Sequence, residues 1–387
     1  MASHPRWLLY APYGFTGRLL AEEALRRGHR PILAGRDEAK LQRVVAELET
    51  GLEAGLDSAA STGEEARGSL SHRVLSLEDP EALKAGLEDV STVLHAAGPF
   101  VETARPMMEA CLDAGVHYLD ITGEVPVFEA AFALDARARE RGVVLMPGVG
   151  MDVIPTDGVA ALLARSLPSA ARLELALHSP GRPSAGTLQT VLEGVPGGLR
   201  VRRGGRLVQA NPGRREFRRW VDLGPEPGSG PMAGRLGGRR SVAPYTWGDL
   251  ATAWRTTGIG EITCYMSTPR WQVRLMPVVL PVVRRILAIG PLRRYLRRRV
   301  ARGPEGPGPR RRQEGRTRVW GRVEDDQGRS AEMVLEFPEA YRFTAMGGIR
   351  ALEEVLAWEG GGGTLTPAGA FGGDWVLDLP EVAVIQR

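Results

Sequence analysis

The chain has 387 residues, 43% of them hydrophobic and 25% charged, with 6% aromatic. That length and balance suit about two to three globular domains and exclude a disordered chain, a coiled coil or a disulfide-stapled miniprotein. The net charge of +4 hides an uneven distribution: fifteen arginines face two glutamates between Arg270 and Arg318, so the remainder is acidic.

Residues 7–150 alternate short apolar runs with helical patterns, the grammar of a parallel sheet with crossover helices. Trp7–Ala11 predicts a buried strand, followed by a glycine turn and a helix whose apolar positions include Leu19, Leu20, Ala24 and Leu25. Ile32–Ala34 predicts the second strand and Glu38–Leu48 the second helix, while residues 50–71 read as a surface loop. Val74–Leu75, Thr92–Ala96, His117–Ile121 and Val143–Met146 supply further strands, separated by helices at 79–87, 102–114 and 126–141. The fold class is α/β: a Rossmann-type doubly wound parallel sheet over residues 1–150.

Beyond Gly150 the pattern changes to longer alternating strands at Leu173–His178, Leu199–Gln209, Ile259–Ser267, Arg316–Val323 and Glu332–Phe337. Asp325–Gly328 reads as the turn joining the last two. This predicts a second α+β domain over 151–340, built on an antiparallel sheet and carrying substrate or interaction surfaces. Gly303–Pro309 reads as a breaker-rich loop. Residues 341–387 form a C-terminal segment expected to pack back on the first domain.

The first strand-to-helix junction, Ala11-Pro12-Tyr13-Gly14-Phe15-Thr16-Gly17, has the spacing of a dinucleotide turn with alanine at its first glycine position. Such a turn needs small residues where the backbone meets pyrophosphate, with helix amides and dipole aimed at the charge. The second strand ends at Gly35-Arg36, where a ribose 2′-hydroxyl calls for a carboxylate and a 2′-phosphate for arginine. NADP(H) is therefore favoured over NAD(H). Asp37 either caps the next helix or reaches the ribose.

Four segments in order give the sequence a specific resemblance: Tyr10–Gly17, Val93–Phe100, His117–Glu124 and Gly150–Asp157. With Gly306–Pro309 and Gly363–Ala368 they make the chain similar to the saccharopine dehydrogenase-like oxidoreductases, in particular the trans-acting enoyl reductase branch. The resemblance implies an NADP-binding Rossmann domain, a second α/β domain and hydride transfer. It leaves open whether the substrate is a small-molecule or carrier-bound unsaturated acyl group, or an amino-acid imine of the saccharopine type. Ala11, Pro12 and Tyr13 depart from the Gly-Ala-Thr common in the family; Pro12 removes an amide donor and Tyr13 adds bulk.

Ligands of an open parallel sheet lie beyond the carboxyl ends of its strands. Ala97, Gly98 and Pro99 follow the fourth strand and join Ala11, Gly14, Phe15, Thr16, Gly17 and Arg36 as candidate cofactor contacts. Hydride addition to a conjugated alkene leaves an enolate that needs a proton donor. The candidates are Tyr118, Glu124 and Asp152, while His95 reads as a core histidine, Asp120 as a turn cap and Asp157 as a helix cap. The six histidines and two cysteines show no metal-ligand spacing, and no metal is expected.

Arg274–Val300 alternates apolar blocks with arginines around a core of about nine apolar residues, against the roughly 20 that span a bilayer. Pro277 and Pro281 are expected to interrupt a helix there. The segment suits anionic lipid, an acidic carrier or a long acyl chain, or else packs against its own domain. A non-catalytic membrane-peripheral or scaffold protein is a third reading, resting on this block and on Ala11-Pro12-Tyr13. No nucleic acid is expected, and a homodimer is left open. Far-spaced Cys111 and Cys264 and the lack of a secretory leader in the first 30 residues point to a cytoplasmic location, with peripheral membrane contact through 274–300 left open.

Overall fold

A strand buried on both faces must be apolar along its whole length, and the N-terminal runs meet that requirement. The computed structural model describes residues 5–56, 69–180, 184–185, 188–189, 197–210, 219–224, 238–300 and 306–386. Its first six strands are β1 (Trp7–Tyr10), β2 (Ile32–Gly35), β3 (His72–Val74), β4 (Thr92–His95), β5 (His117–Asp120) and β6 (Val144–Met146). They pair in parallel in the order β6-β5-β4-β1-β2-β3, the arrangement of a dinucleotide-binding sheet. Every residue of β1 and β2 is buried. Leu8, Leu9, Leu33 and Leu94 are fully enclosed, each contributing about 1.5–3 kcal/mol by leaving water.

Helices alternate with these strands. Phe15–Arg26 follows β1 and Phe100–Ala114 follows β4. The second helix extends over Glu38–Leu56, past its expected end, and takes the start of the expected loop; residues 57–68 of that loop lie outside the described residues. The helix expected over 126–141 is two, Val125–Ala133 and Asp135–Arg141, broken at Leu134.

The later strands are β7 (Arg172–His178), β8 (Arg200–Arg203), β9 (Arg206–Gln209), β10 (Arg219–Asp222), β11 (Arg239–Pro244), β12 (Glu261–Ser267), β13 (Arg316–Glu324), β14 (Ser330–Pro338), β15 (Gly363–Thr364) and β16 (Ala383–Gln386). The second sheet runs β10-β11-β12-β7-β13-β14-β16, with the β8–β9 hairpin attached to β12. It is mixed rather than wholly antiparallel, because β7 and β12 pair in parallel. Parallel partners need a long crossover, and the chain between these two strands supplies it. The single strand expected over Leu199–Gln209 folds back at Gly204-Gly205, both with positive φ, as hairpin turns favour. The β13–β14 turn forms where expected, with Asp325 Oδ1 accepting from the Gln327 and Arg329 amides. Ala176, Val201, Val221, Val242, Tyr265 and Trp320 fuse into one apolar cluster on this sheet.

The chain divides into two interleaved units. The first takes Met1–Thr122, Glu129–Gly150 and Thr344–Leu365; the second takes Gly123–Phe128, Met151–Phe343 and Thr366–Arg387. The division therefore does not follow single cuts at 150 and 340. The C-terminal segment also splits. β15 pairs with β6, and Glu353 binds Arg27 (2.8 Å) and His29 (3.1 Å) within the first unit, whereas β16 pairs with β14 in the second.

Candidate functional site

In the first unit, the chain leaves β1 through Ala11, whose φ of 63° is left-handed and uncommon for a residue with a Cβ. The Gly14 amide returns to the Ala11 carbonyl at 3.3 Å, and the helix begins at Phe15. Gly17 is required by this tight closure: a Cβ there would stand 2.3 Å from the Ala11 carbonyl oxygen. Backbone cannot retreat as a side chain can, so Gly17→Ala should cost about 1–3 kcal/mol and loosen the turn, read by thermal melting. Tyr13 folds its ring over Gly35, where a Cβ would meet Cε1 at 2.6 Å, which accounts for its bulk in the turn. Arg36, at the end of β2, is exposed. Asp37 Oδ1 accepts the Lys40 amide at 3.1 Å, so it acts as the helix cap.

After β4, the Thr103 hydroxyl donates to the Ala97 carbonyl and holds the Ala97-Gly98-Pro99 loop. His95 is sealed, approaches Thr103 Oγ1 at 3.1 Å and stacks on Tyr10; burial pushes its pKa down to about 3. Gly98 differs from Gly17 in being exposed, with nothing nearer than 3.7 Å to an added Cβ. The packing around it does not require a glycine, so a requirement for one would come from a ligand resting on the loop. Gly98→Val should keep the parent's melting temperature while weakening NADPH by about tenfold or more in a fluorescence titration. Unchanged affinity would remove this loop from the cofactor site.

Tyr118 requires a correction. It is fully buried in β5, and its hydroxyl donates to Asp120 Oδ2 at 2.6 Å. Asp120 also accepts the Thr122 and Gly148 amides, each at 2.9 Å. A central parallel strand is covered on both faces, so this tyrosine helps fix the β5 and β6 loops and is not open to a substrate.

In the second unit, Glu124 and Asp152 come together. Gly123 packs on Asp152, where a Cβ would lie 2.7 Å from Oδ2. Protein surrounds Asp152 closely, yet the residue is half-buried rather than sealed; burial, reinforced by the Glu124 carboxylate, pushes its pKa up to about 7. Trp247 Nε1 donates to the Asp152 carbonyl, and the Tyr245 ring lies 5.3 Å from that of Trp247. Burial and the charge of Asp152 raise the Tyr245 hydroxyl to about 12, keeping it a donor at neutral pH. Asp249 is buried beside Thr156. The Thr156 hydroxyl also lies 3.0 Å from the Val153 carbonyl, to which it donates. Burial, with Asp157 and Asp152 adding, pushes the Asp249 pKa well up.

Asp157 has a different role. It accepts from Thr256 Oγ1 at 2.7 Å and from the Ala368 amide at 3.0 Å, tying together three segments. Asp157→Ala would leave these donors unpaired and should destabilise the fold by about 2–4 kcal/mol in chemical denaturation. Tyr245, Trp247 and Asp249 were missed from sequence. The available signal was the run Tyr245-Thr246-Trp247-Gly248-Asp249, which combines aromatics and an acid just after β11. Among the described residues, no cluster of three or more His, Cys, Asp or Glu side chains has a metal-holding arrangement.

The sequence profile of the saccharopine dehydrogenase NADP binding domain matches residues 13–146. This stretch is therefore similar to that family's nucleotide-binding domain, over about a third of the chain. The match supports NADP(H), the cofactor expected from the sequence. The match takes in β2 to β6 and the Ala97–Pro99 loop. The chain is 26% identical to a human saccharopine dehydrogenase-like oxidoreductase over 159 residues, covering 39% of this chain and 35% of that one. It is 30% identical over 155 residues to a Mycobacterium tuberculosis protein assigned provisionally as a trans-acting enoyl reductase, covering 39% and 33%. The chain thus spans about a third of the length of these relatives. The apo saccharopine dehydrogenase (L-Glu forming) of Saccharomyces cerevisiae shares the fold across 99% of this chain and 100% of its own, with a TM-score of 0.59 and 12% identity.

Proposed function

We propose that the protein is an NADPH-dependent reductase of an unsaturated acyl thioester, with Asp152 as its proton donor. The observation that carries this reading is the Glu124–Asp152 pair, in which one carboxyl group is held near pH 7 at the mouth of a proton-transfer step. Both acids follow closely in the chain from strand ends of the NADP-binding domain: Glu124 after β5, and Asp152 after β6.

Arg36 would hold the 2′-phosphate, the Phe15–Gly17 amides at the helix start the pyrophosphate, and the Ala97–Pro99 backbone the inner ribose. The residues fit this group: Gly17 keeps the turn tight, Gly98 is open outward and Arg36 is exposed. The cofactor, when bound, supplies a hydride. Asp152 in its protonated form gives a proton to the enolate carbon, and Tyr245 offers a hydroxyl hydrogen bond to the developing negative oxygen. Glu124 keeps the Asp152 proton in place at neutral pH by opposing a second negative charge.

The charge acting on Asp152 is itself a carboxylate. A substrate carboxylate placed beside the Glu124 carboxylate would be repelled, whereas an uncharged thioester carbonyl would not. This favours the acyl reading over the imine one. The test is NADPH oxidation with enoyl thioesters alongside lysine, glutamate and oxo acids. Turnover of the thioesters supports the proposal. Turnover confined to amino and oxo acids would replace it, and lack of NADPH binding would favour a non-catalytic protein.

A further inference from the structure

The Arg270–Ala288 helix continues through Pro277 and Pro281, which were expected to interrupt it, and so presents two faces along its length. Val273 and Leu287 are buried on the inner face. On the outer face stand Trp271, Leu275, Val278, Val282, Ile286 and, just past the end, Ile289, which are 62%, 50%, 70%, 51%, 42% and 54% exposed. Their spacings of four, three, four, four and three gather them into an arc roughly 80° wide and about 27 Å long. A second helix, Gly290–Val300, turns away by 99° and carries Tyr295, which is 57% exposed.

Nine arginines and no acid occupy residues 270–300. Arg274 and Arg285 lie along one edge of the apolar stripe and are exposed. No single helix among the described residues is long and apolar enough to cross a membrane.

We propose that this helix pair docks in the plane of an anionic lipid bilayer, with the stripe in the acyl boundary and the arginines at the headgroups. Three features select this occupant. An unbroken aliphatic stripe is matched by acyl chains, the arginine border is matched by anionic headgroups, and exposed Trp271 and Tyr295 have the amphipathic rings favoured at that depth. A second copy docked on the same face would bring arginines against arginines. This inference is independent of the proposed reaction, and either can fail alone.

The full chain should co-sediment with vesicles containing phosphatidylglycerol at least about tenfold more strongly than with pure phosphatidylcholine, and salt should weaken the binding. A Val278→Glu/Val282→Glu variant should lose about tenfold or more of that binding, and Arg274→Glu/Arg285→Glu should lose its salt-sensitive part. NADPH affinity reports that each variant remains folded. No vesicle binding by the parent, or undiminished binding by the valine variant, overturns the proposal. So does a parent dimer in solution that the valine variant abolishes, because a second copy would then cover the face.

Discussion

An Asp152→Asn variant should reduce its enoyl substrate roughly a hundred- to ten-thousand-fold more slowly than the parent, at unchanged NADPH affinity. Asparagine preserves the shape but has no acidic proton to transfer. The parent's pH profile provides the second half of the prediction. Burial and Glu124 raise Asp152 to about 7, so it is protonated below that pH and its rate contribution falls as pH rises through it. Glu124→Gln removes the repulsive charge while leaving the burial, so the falling limb should move to lower pH. Steady-state rates across the range check both statements. Full turnover by the Asp152 variant, or a limb unmoved by Glu124→Gln, would take the pair out of the chemistry.

Arg36→Ala should weaken NADPH binding by roughly ten- to a hundredfold and leave NADH binding nearly unchanged. Hydrogen bonds involving charged groups contribute about 1.5–3 kcal/mol each, and only NADPH carries the phosphate that Arg36 is placed to meet. Paired fluorescence titrations measure the difference. Equal losses for both cofactors would mean that the guanidinium does not read the 2′-phosphate. Lysine at this position should restore part of the affinity, keeping the charge but losing the planar fork.

The first sheet was legible because apolar runs, glycine turns and helix patterns are local signals. β1 to β6 all appear within about two residues of their predicted places. The second sheet was only partly so. Arg219–Asp222 and Arg239–Pro244 lack clean alternation, and the parallel pairing of β7 with β12 depends on a crossover that no local pattern reveals. Glu124 and Asp152 were recognisable because each follows a strand end. Tyr245 and Trp247 were not, since their approach to Asp152 is a product of long-range folding. Tyr118 misled for a related reason: in a strand covered on both sides, its polar tip found a neighbouring carboxylate instead of solvent.

The placement of β15 has a consequence for synthesis. At about 5–20 residues per second, on the order of ten to forty seconds separate the appearance of β6 from that of Gly363 and Thr364. Throughout that interval the nascent chain carries the outer edge of β6 without its eventual neighbour, a row of backbone groups able to pair with another chain. A fragment ending at Gly150 would hold that edge open permanently. Its solubility would suffer even though the nucleotide turn and all six earlier strands were present.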